Sequence, residues 1–208
     1  LSNFAVVLSS TGYLNSLAHS TSTWQNSGAD IGSQDVADSI VADVTSYVTW
    51  KSAAMTHSSY FRQEELLHLY DVRHKMAVFH LLFYSLVAAM AVIFLIMFIA
   101  IKNINKFVAV AKSLFFASGV AATAISLLLF LLSLNFGASF TAFHKLLFAG
   151  SQWQFPSNYL MVNLFTADFF AGIARAVVAA AFVEGLALVL ASFIIGKLYN
   201  RKAADAKA

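Results

Sequence analysis

The sequence predicts an all-α, polytopic membrane protein. We expect a helical bundle with three clear membrane-spanning helices, a partial first span and a helical segment on the outer face. Of the 208 residues, 60% are hydrophobic and 11% are charged, whereas a soluble domain carries about 25% charged residues. The apolar residues are also gathered into long runs, and a spanning helix needs about 20 such residues in succession.

Three apolar runs are long enough to cross a membrane. They cover residues 76–101, 107–134 and 169–195. The second run is rich in alanine, serine and glycine, and small residues of this kind let two helices approach closely in a membrane. Each run therefore predicts one transmembrane helix.

The chain before the first run predicts a mixture of helix and loop. Residues 1–17 are apolar but broken by serine, threonine and asparagine, which fits a partial first span. Residues 18–32 have the composition of an exposed loop. Residues 33–50 place apolar side chains at helical spacing, with Asp35 as the expected cap. A further helix is expected to begin at Phe61 and to run without a break into the membrane.

The distribution of basic residues predicts the orientation. Lysine and arginine concentrate in the short hairpin 102–106 and in the tail 196–208, and such loops lie on the cytoplasmic side. Residues 1–75, which carry seven acidic and four basic residues, and the connection 135–168 then face the extracytoplasmic side. A site in either of these segments would therefore lie on the outer face of the membrane.

Composition and motifs exclude several classes of function. The chain has no cysteine, so it has no disulfide, thiolate metal site or cysteine nucleophile. A net charge of +3 does not suggest nucleic-acid binding. Neither a zinc-protease spacing nor a G-x-S-x-G motif occurs. We predict no cofactor and no metal, although zinc held by His68, His144 and a carboxylate stays open as an alternative.

The polar stretch 61–75 is the first candidate for a functional site. It gathers two glutamates, two histidines, an aspartate and three cations next to an apolar run, where each polar group needs water or a partner. Helical spacing brings Glu64 and Asp71 beside His68. A neighbouring carboxylate fixes the tautomer of an imidazole and raises its basicity. An interfacial helix whose charges merely pair and snorkel fits the same pattern.

A second histidine is expected on the same side of the membrane. His144 lies in the amphipathic segment 140–148, within the connection that the charge distribution places outside. The predicted topology therefore allows His144 to approach His68. A lone histidine at an interface is more often a polar group in contact with water.

The last predicted span carries two ionisable residues, Arg175 and Glu184. An unpaired ionisable group inside a membrane has a functional role by default, so a small transporter that uses Glu184 is one alternative. No inverted repeat or broken helix supports it. Arg175 lies closer to the outer end, where it can reach lipid carbonyls or Asp168.

The chain resembles the bacterial lipoprotein intramolecular transacylase family of integral membrane proteins at Glu65-Leu-Leu-His68-Leu-Tyr-Asp71-Val-Arg73. This segment is similar to the family signature H-x-x-D-V-K/R. The stretch from Phe143-His144 to Trp153 and the pair Phe169-Phe170 follow in the same order, so the resemblance covers about residues 33–195. The chain departs from the family pattern at Ala149-Gly150-Ser151-Gln152, where asparagine or aspartate is expected, and at Thr166-Ala167-Asp168, where a proline is expected.

The resemblance implies an acyltransferase. Members move the sn-2 acyl chain of a diacylglyceryl lipoprotein onto the α-amine of that lipoprotein's N-terminal cysteine, and so produce a lyso-form lipoprotein. The two key histidines of the family map onto His68 and His144, with Asp71 as the orienting acid. The residues expected to bind substrate or membrane lipid are Glu65, Tyr70, Arg73, Trp153 and Arg175.

A different class of function stays open beside this one. A non-enzymatic membrane scaffold or accessory subunit would use its small-residue spans and its outer helix for contact with a partner. This alternative predicts that His68 and His144 lie apart. The distance between the two imidazole rings therefore discriminates between the two hypotheses.

Overall fold

A computed structural model describes Val7, residues 10–148 and residues 153–205. The described residues contain helices and turns and no strand, so the all-α prediction is confirmed. There are seven α-helices among them: α1 Thr11–Thr21, α2 Gln34–Val48, α3 Gln63–Ala100, α4 Ile104–Ser133, α5 Phe136–Leu147, α6 Leu160–Leu164 and α7 Ala167–Asp205. Two short 3-10 turns cover Trp24–Asn26 and Ser58–Tyr60.

Three of these helices, α3, α4 and α7, are long and apolar enough to cross a membrane. The helix α3 has 38 residues, which corresponds to a length of about 57 Å at 1.5 Å per residue. The hydrocarbon core of a bilayer is only about 30 Å thick. The polar stretch 61–75 therefore belongs almost entirely to the same helix as the apolar run that follows it, and projects beyond that run.

The segments before α3 differ from the sequence-based expectation in two respects. Residues 18–21 continue the helix α1 instead of opening a loop, because Ala18 is buried in the core. The cap of α2 is Ser33, whose side chain accepts the Val36 N–H at 3.4 Å. Asp35 lies in the first turn instead, where its negative charge interacts favourably with the positive end of the helix dipole. Most of the predicted partial first span, residues 1–6, 8 and 9, lies outside the described residues.

The chain divides into two compact units. The first unit contains residues 1–83 and 132–177, and the second contains residues 84–131 and 178–208. The first unit has a core of buried apolar side chains drawn from α1, α2, α3, α6 and α7. Its largest contributors include Leu14, Ile40, Val41, Leu160, Leu164 and Phe169.

One buried carboxylate connects two helices of the first unit. Glu65, in the first turn of α3, is fully buried. One of its oxygens accepts the Arg62 backbone N–H at 2.8 Å, as in the second half of a capping box. The other accepts the Met161 backbone N–H at 2.8 Å, in the first turn of α6. Glu65 therefore fixes the beginning of α3 to the beginning of α6.

In the second unit, α4 and α7 approach closely at two glycines. A β-carbon on Gly119 would lie 2.7 Å from both the Gly185 carbonyl oxygen and the Val189 backbone nitrogen. Neither backbone atom can move aside without a shift of the helix. The small residues predicted for the second span thus allow the two helix backbones to touch.

We expect Glu65→Ala to destabilise the protein by about 3 kcal/mol or more, because a buried and a partly buried backbone N–H group would lose a charged acceptor. Glu64→Gln is the matched control, because Glu64 is exposed in the same helical turn. The free energy of unfolding of this variant should differ from that of the unmodified protein by less than about 0.5 kcal/mol. Chemical denaturation in detergent micelles measures both. Equal stability of the two variants would contradict the role assigned to Glu65.

We expect Gly119→Ala to lower the free energy of unfolding by about 1–3 kcal/mol, the range for overpacked contacts. Gly137→Ala is the control, because a β-carbon there meets nothing within 4 Å and alanine favours the helix. Thermal unfolding of both variants in the same detergent checks the difference. An unchanged midpoint for Gly119→Ala would show that α4 and α7 do not pack through these glycines.

Candidate functional site

Two histidines from different helices of the first unit lie together. His68 projects from α3 and His144 from α5, and both side chains are buried, with 7% and 9% of their surface exposed. Their ring centroids are 6.2 Å apart and their planes differ by 22°, so the rings are stacked. Two groups capable of proton transfer therefore share one site.

Aromatic rings enclose this pair. Phe148 contacts both imidazoles, with centroid distances of 4.8 Å to His68 and 5.5 Å to His144. Three more rings lie within 5.6 Å of one histidine or the other: Phe140, Trp153 and Phe155. Such walls keep water away, and electrostatic interactions are stronger where water is excluded.

The hydrogen bonds of His144 identify its tautomer. Its Nδ1 lies 2.9 Å from the Phe140 carbonyl oxygen. A carbonyl can only accept, so Nδ1 donates a proton to it, and Nε2 of the neutral ring keeps a free lone pair. Burial lowers the pKa of His144 below its ordinary value of 6.5, and the bond to Phe140 opposes this shift. Near neutral pH the ring is therefore uncharged and able to accept a proton at Nε2.

His68 is held differently. Its Nδ1 is buried and has no hydrogen-bond partner among the described residues. Asp71, expected as the orienting acid, is half-buried one turn along the same helix and makes no bond to that nitrogen. The Trp153 Nε1 is likewise buried without a partner. An unsatisfied buried polar group lowers the stability of the folded protein by about 1–3 kcal/mol. A ligand that forms a hydrogen bond with either atom would remove this cost.

Arg73, expected to contact substrate or lipid, is directed into its own chain. Its Nη1 donates to the carbonyl oxygens of Tyr47 at 2.8 Å and Ser52 at 2.7 Å. The guanidinium lies 4.0 Å above the Trp50 ring, and the Trp50 indole donates back to the Arg73 carbonyl at 2.9 Å. Arg73 is only 8% exposed, so its guanidinium charge is stabilised by these contacts within the protein.

The other predicted contact residues have separate surroundings. Glu65 is occupied by its two backbone N–H groups, as described above. Tyr70 is 52% exposed and contacts His74, with the two rings tilted and their centroids 4.2 Å apart. Arg175 is exposed on α7. Of the residues expected to bind substrate or lipid, Trp153 is the one whose ring contacts the histidine pair.

The phenylalanines of the enclosure are not among the site residues predicted from the sequence. Phe140, His144 and Phe148 follow one another at intervals of four residues, which places them along one helical face, and this spacing was a usable signal. Phe155 lies in an irregular segment directly before Pro156, where no periodicity identifies it. Residues 149–152, where the sequence departs from the family pattern, lie outside the described residues.

No group of three histidine, aspartate or glutamate side chains in the described part of the chain is placed to hold a metal ion. The site consists instead of two imidazoles, an indole and phenyl rings. Its chemistry is therefore that of proton transfer and hydrogen bonding in apolar surroundings.

Comparison with protein families identifies a match. The family model of the lipoprotein intramolecular transacylase Lit covers residues 4–170, a range that includes His68, His144 and the aromatic enclosure. Comparisons with curated proteins and with solved structures found no match. Since the matched range is well over half of the 208 residues, the chain belongs to the lipoprotein intramolecular transacylase family and is an acyltransferase.

Proposed function

We propose that this protein moves the sn-2 acyl chain of a diacylglyceryl lipoprotein onto the α-amine of the lipoprotein's own N-terminal cysteine. The product is a lyso-form lipoprotein with an N-acyl group. The observation that carries this proposal is the stacked pair of His68 and His144 inside an aromatic enclosure. Family membership supports the substrate class.

The reaction is the aminolysis of an ester. The neutral amine attacks the sn-2 carbonyl carbon, a C–N bond forms, and the carbonyl electron pair moves onto oxygen. The bond between this carbon and the glycerol oxygen then breaks. The amine gives up one proton and the glycerol oxygen takes up one, so ester and amine become amide and alcohol with no other reactant.

His144 is suited to take the proton from the amine. Its Nδ1–H is held by the Phe140 carbonyl, which leaves Nε2 as the acceptor. The lowered pKa keeps the ring neutral before the reaction. A base held in this tautomer needs no rearrangement before it accepts the proton.

His68 is suited to serve as the second proton-transfer group. Two adjacent imidazolium rings would repel each other strongly in apolar surroundings, so the pair carries one added proton at most at a time. That proton can then be delivered to the departing glycerol oxygen by either ring. Its Nδ1 has no partner in the described part of the chain, so this ring can bond to substrate.

The substrate itself supplies the nucleophile. Since amine and ester belong to one molecule, holding them together replaces a bimolecular encounter and removes several kcal/mol of barrier. The aromatic walls also keep out water, which would otherwise compete with the amine. This arrangement is consistent with a chain that has no cysteine and no serine-hydrolase motif.

The membrane setting is part of the proposal. We infer that the enzyme is a multi-pass protein of the bacterial cytoplasmic membrane, with its site on the extracytoplasmic side, as the basic hairpin and tail indicate. The long apolar helices are covered with exposed leucine, isoleucine and phenylalanine side chains, which suit contact with lipid chains. A scaffold without activity would not require the two histidines to stack.

Replacement of either site histidine is expected to reduce product formation strongly. His144→Ala and His68→Ala should each lower the rate by about 100-fold or more, in line with the loss of general acid–base catalysis. His74→Ala, on the exposed side of the same helix α3, should keep the normal rate. Substrate and product are isomers, so tandem mass spectrometry must locate the acyl group on the amine. Normal N-acylation by both site variants would refute the proposal.

The pH dependence should show two ionisations on its acid side. The α-amine has a pKa of about 7.7–8.0 and must be neutral, and His144 must be neutral with a pKa below 6.5. The logarithm of kcat/KM should therefore fall with slope one below about pH 8. The slope should steepen to two only below about pH 6.5. Steepening already above that value would contradict the lowered pKa of the base.

A further inference from the structure

Two buried polar atoms of the histidine site have no partner among the described residues, the Nδ1 of His68 and the Nε1 of Trp153. An indole N–H can only donate a hydrogen bond. The Trp153 ring lies 5.0 Å from the His144 ring between centroids, so its donor is within reach of a group that binds at His144. The natural partner of such a donor is an acceptor oxygen on the substrate.

The proposed reaction requires a donor of this kind. When the amine attacks, the ester carbonyl oxygen gains negative charge, and donors aimed at that charge stabilise the transition state. The two nitrogens of His144 are both committed: Nδ1–H bonds to Phe140, and Nε2 accepts the proton of the amine. The imidazole of His68 serves the second proton transfer, which delivers a proton to the departing glycerol oxygen. The Trp153 N–H is a further donor in this site, and no described residue accepts it.

We propose that the Trp153 Nε1–H donates to the ester carbonyl oxygen and stabilises the oxyanion. This inference rests on the proposed function and adds a catalytic residue to it. The enclosure of the site makes the bond effective, because no water competes for either partner. It also explains the burial of an indole donor that no described residue satisfies.

The test replaces one functional group and keeps the shape. Incorporation of 3-benzothienylalanine at position 153 exchanges the N–H for sulfur in a ring of nearly the same size. We expect kcat to fall by about 100-fold, as on removal of one oxyanion donor. KM should change little, because the lost bond strengthens in the transition state.

The same replacement at Trp24 is the matched control. The Trp24 indole donates to the Gln34 side chain at 2.9 Å, outside the site, so its loss should leave kcat unchanged. A rate within about threefold of normal for the variant at position 153 would overturn this inference, since a lost oxyanion donor costs far more. If His68→Ala and His144→Ala still abolish N-acylation in that case, the proposed function stands without it. If the histidine variants are active, the function itself fails.

Discussion

The site depends on the buried carboxylate of Glu65. It accepts one backbone N–H at the beginning of α3 and one at the beginning of α6, and both bonds are 2.8 Å long. His68 follows one helical turn after Glu65, while α6 follows the segment that contributes Trp153 and Phe155. A charged group at 0% exposure is tolerated only when donors satisfy it. The position of His68 relative to this segment is therefore set by a pair of charge-assisted bonds.

The aromatic enclosure has a consequence for the two imidazoles. Charging a buried histidine is unfavourable, so the resting pair is neutral, and the Phe140 carbonyl selects the tautomer of His144. This accepting carbonyl belongs to Phe140, whose own ring lies 4.0 Å from the His144 ring between centroids. One helical turn of α5 thus supplies the wall, the acceptor and the base.

Much of the architecture follows from the sequence, because length and hydrophobicity alone identify the three long helices. The partnership of His68 and His144 also had a sequence signal, in the positive-inside rule and the order of the segments. Other features had none. Helical spacing places Asp71 beside His68, but it does not fix the side-chain rotamers, so it could not show that Asp71 makes no bond to the His68 Nδ1. It also could not show that Glu65 and Arg73 are buried against backbone groups, because those contacts join residues far apart in the chain.

Water exclusion connects the enclosure to the choice of reaction. An activated ester next to a general base would be hydrolysed if water reached it, since water at high concentration competes with any weakly held amine. In the proposed reaction the phenyl and indole walls remove that competitor, and the tethered α-amine takes its place. The apolar walls also raise the cost of the oxyanion, because no solvent dipoles surround it. A fixed donor within the walls offsets this cost. We propose the indole N–H of Trp153 for this role, because it is buried and has no hydrogen-bond partner among the described residues.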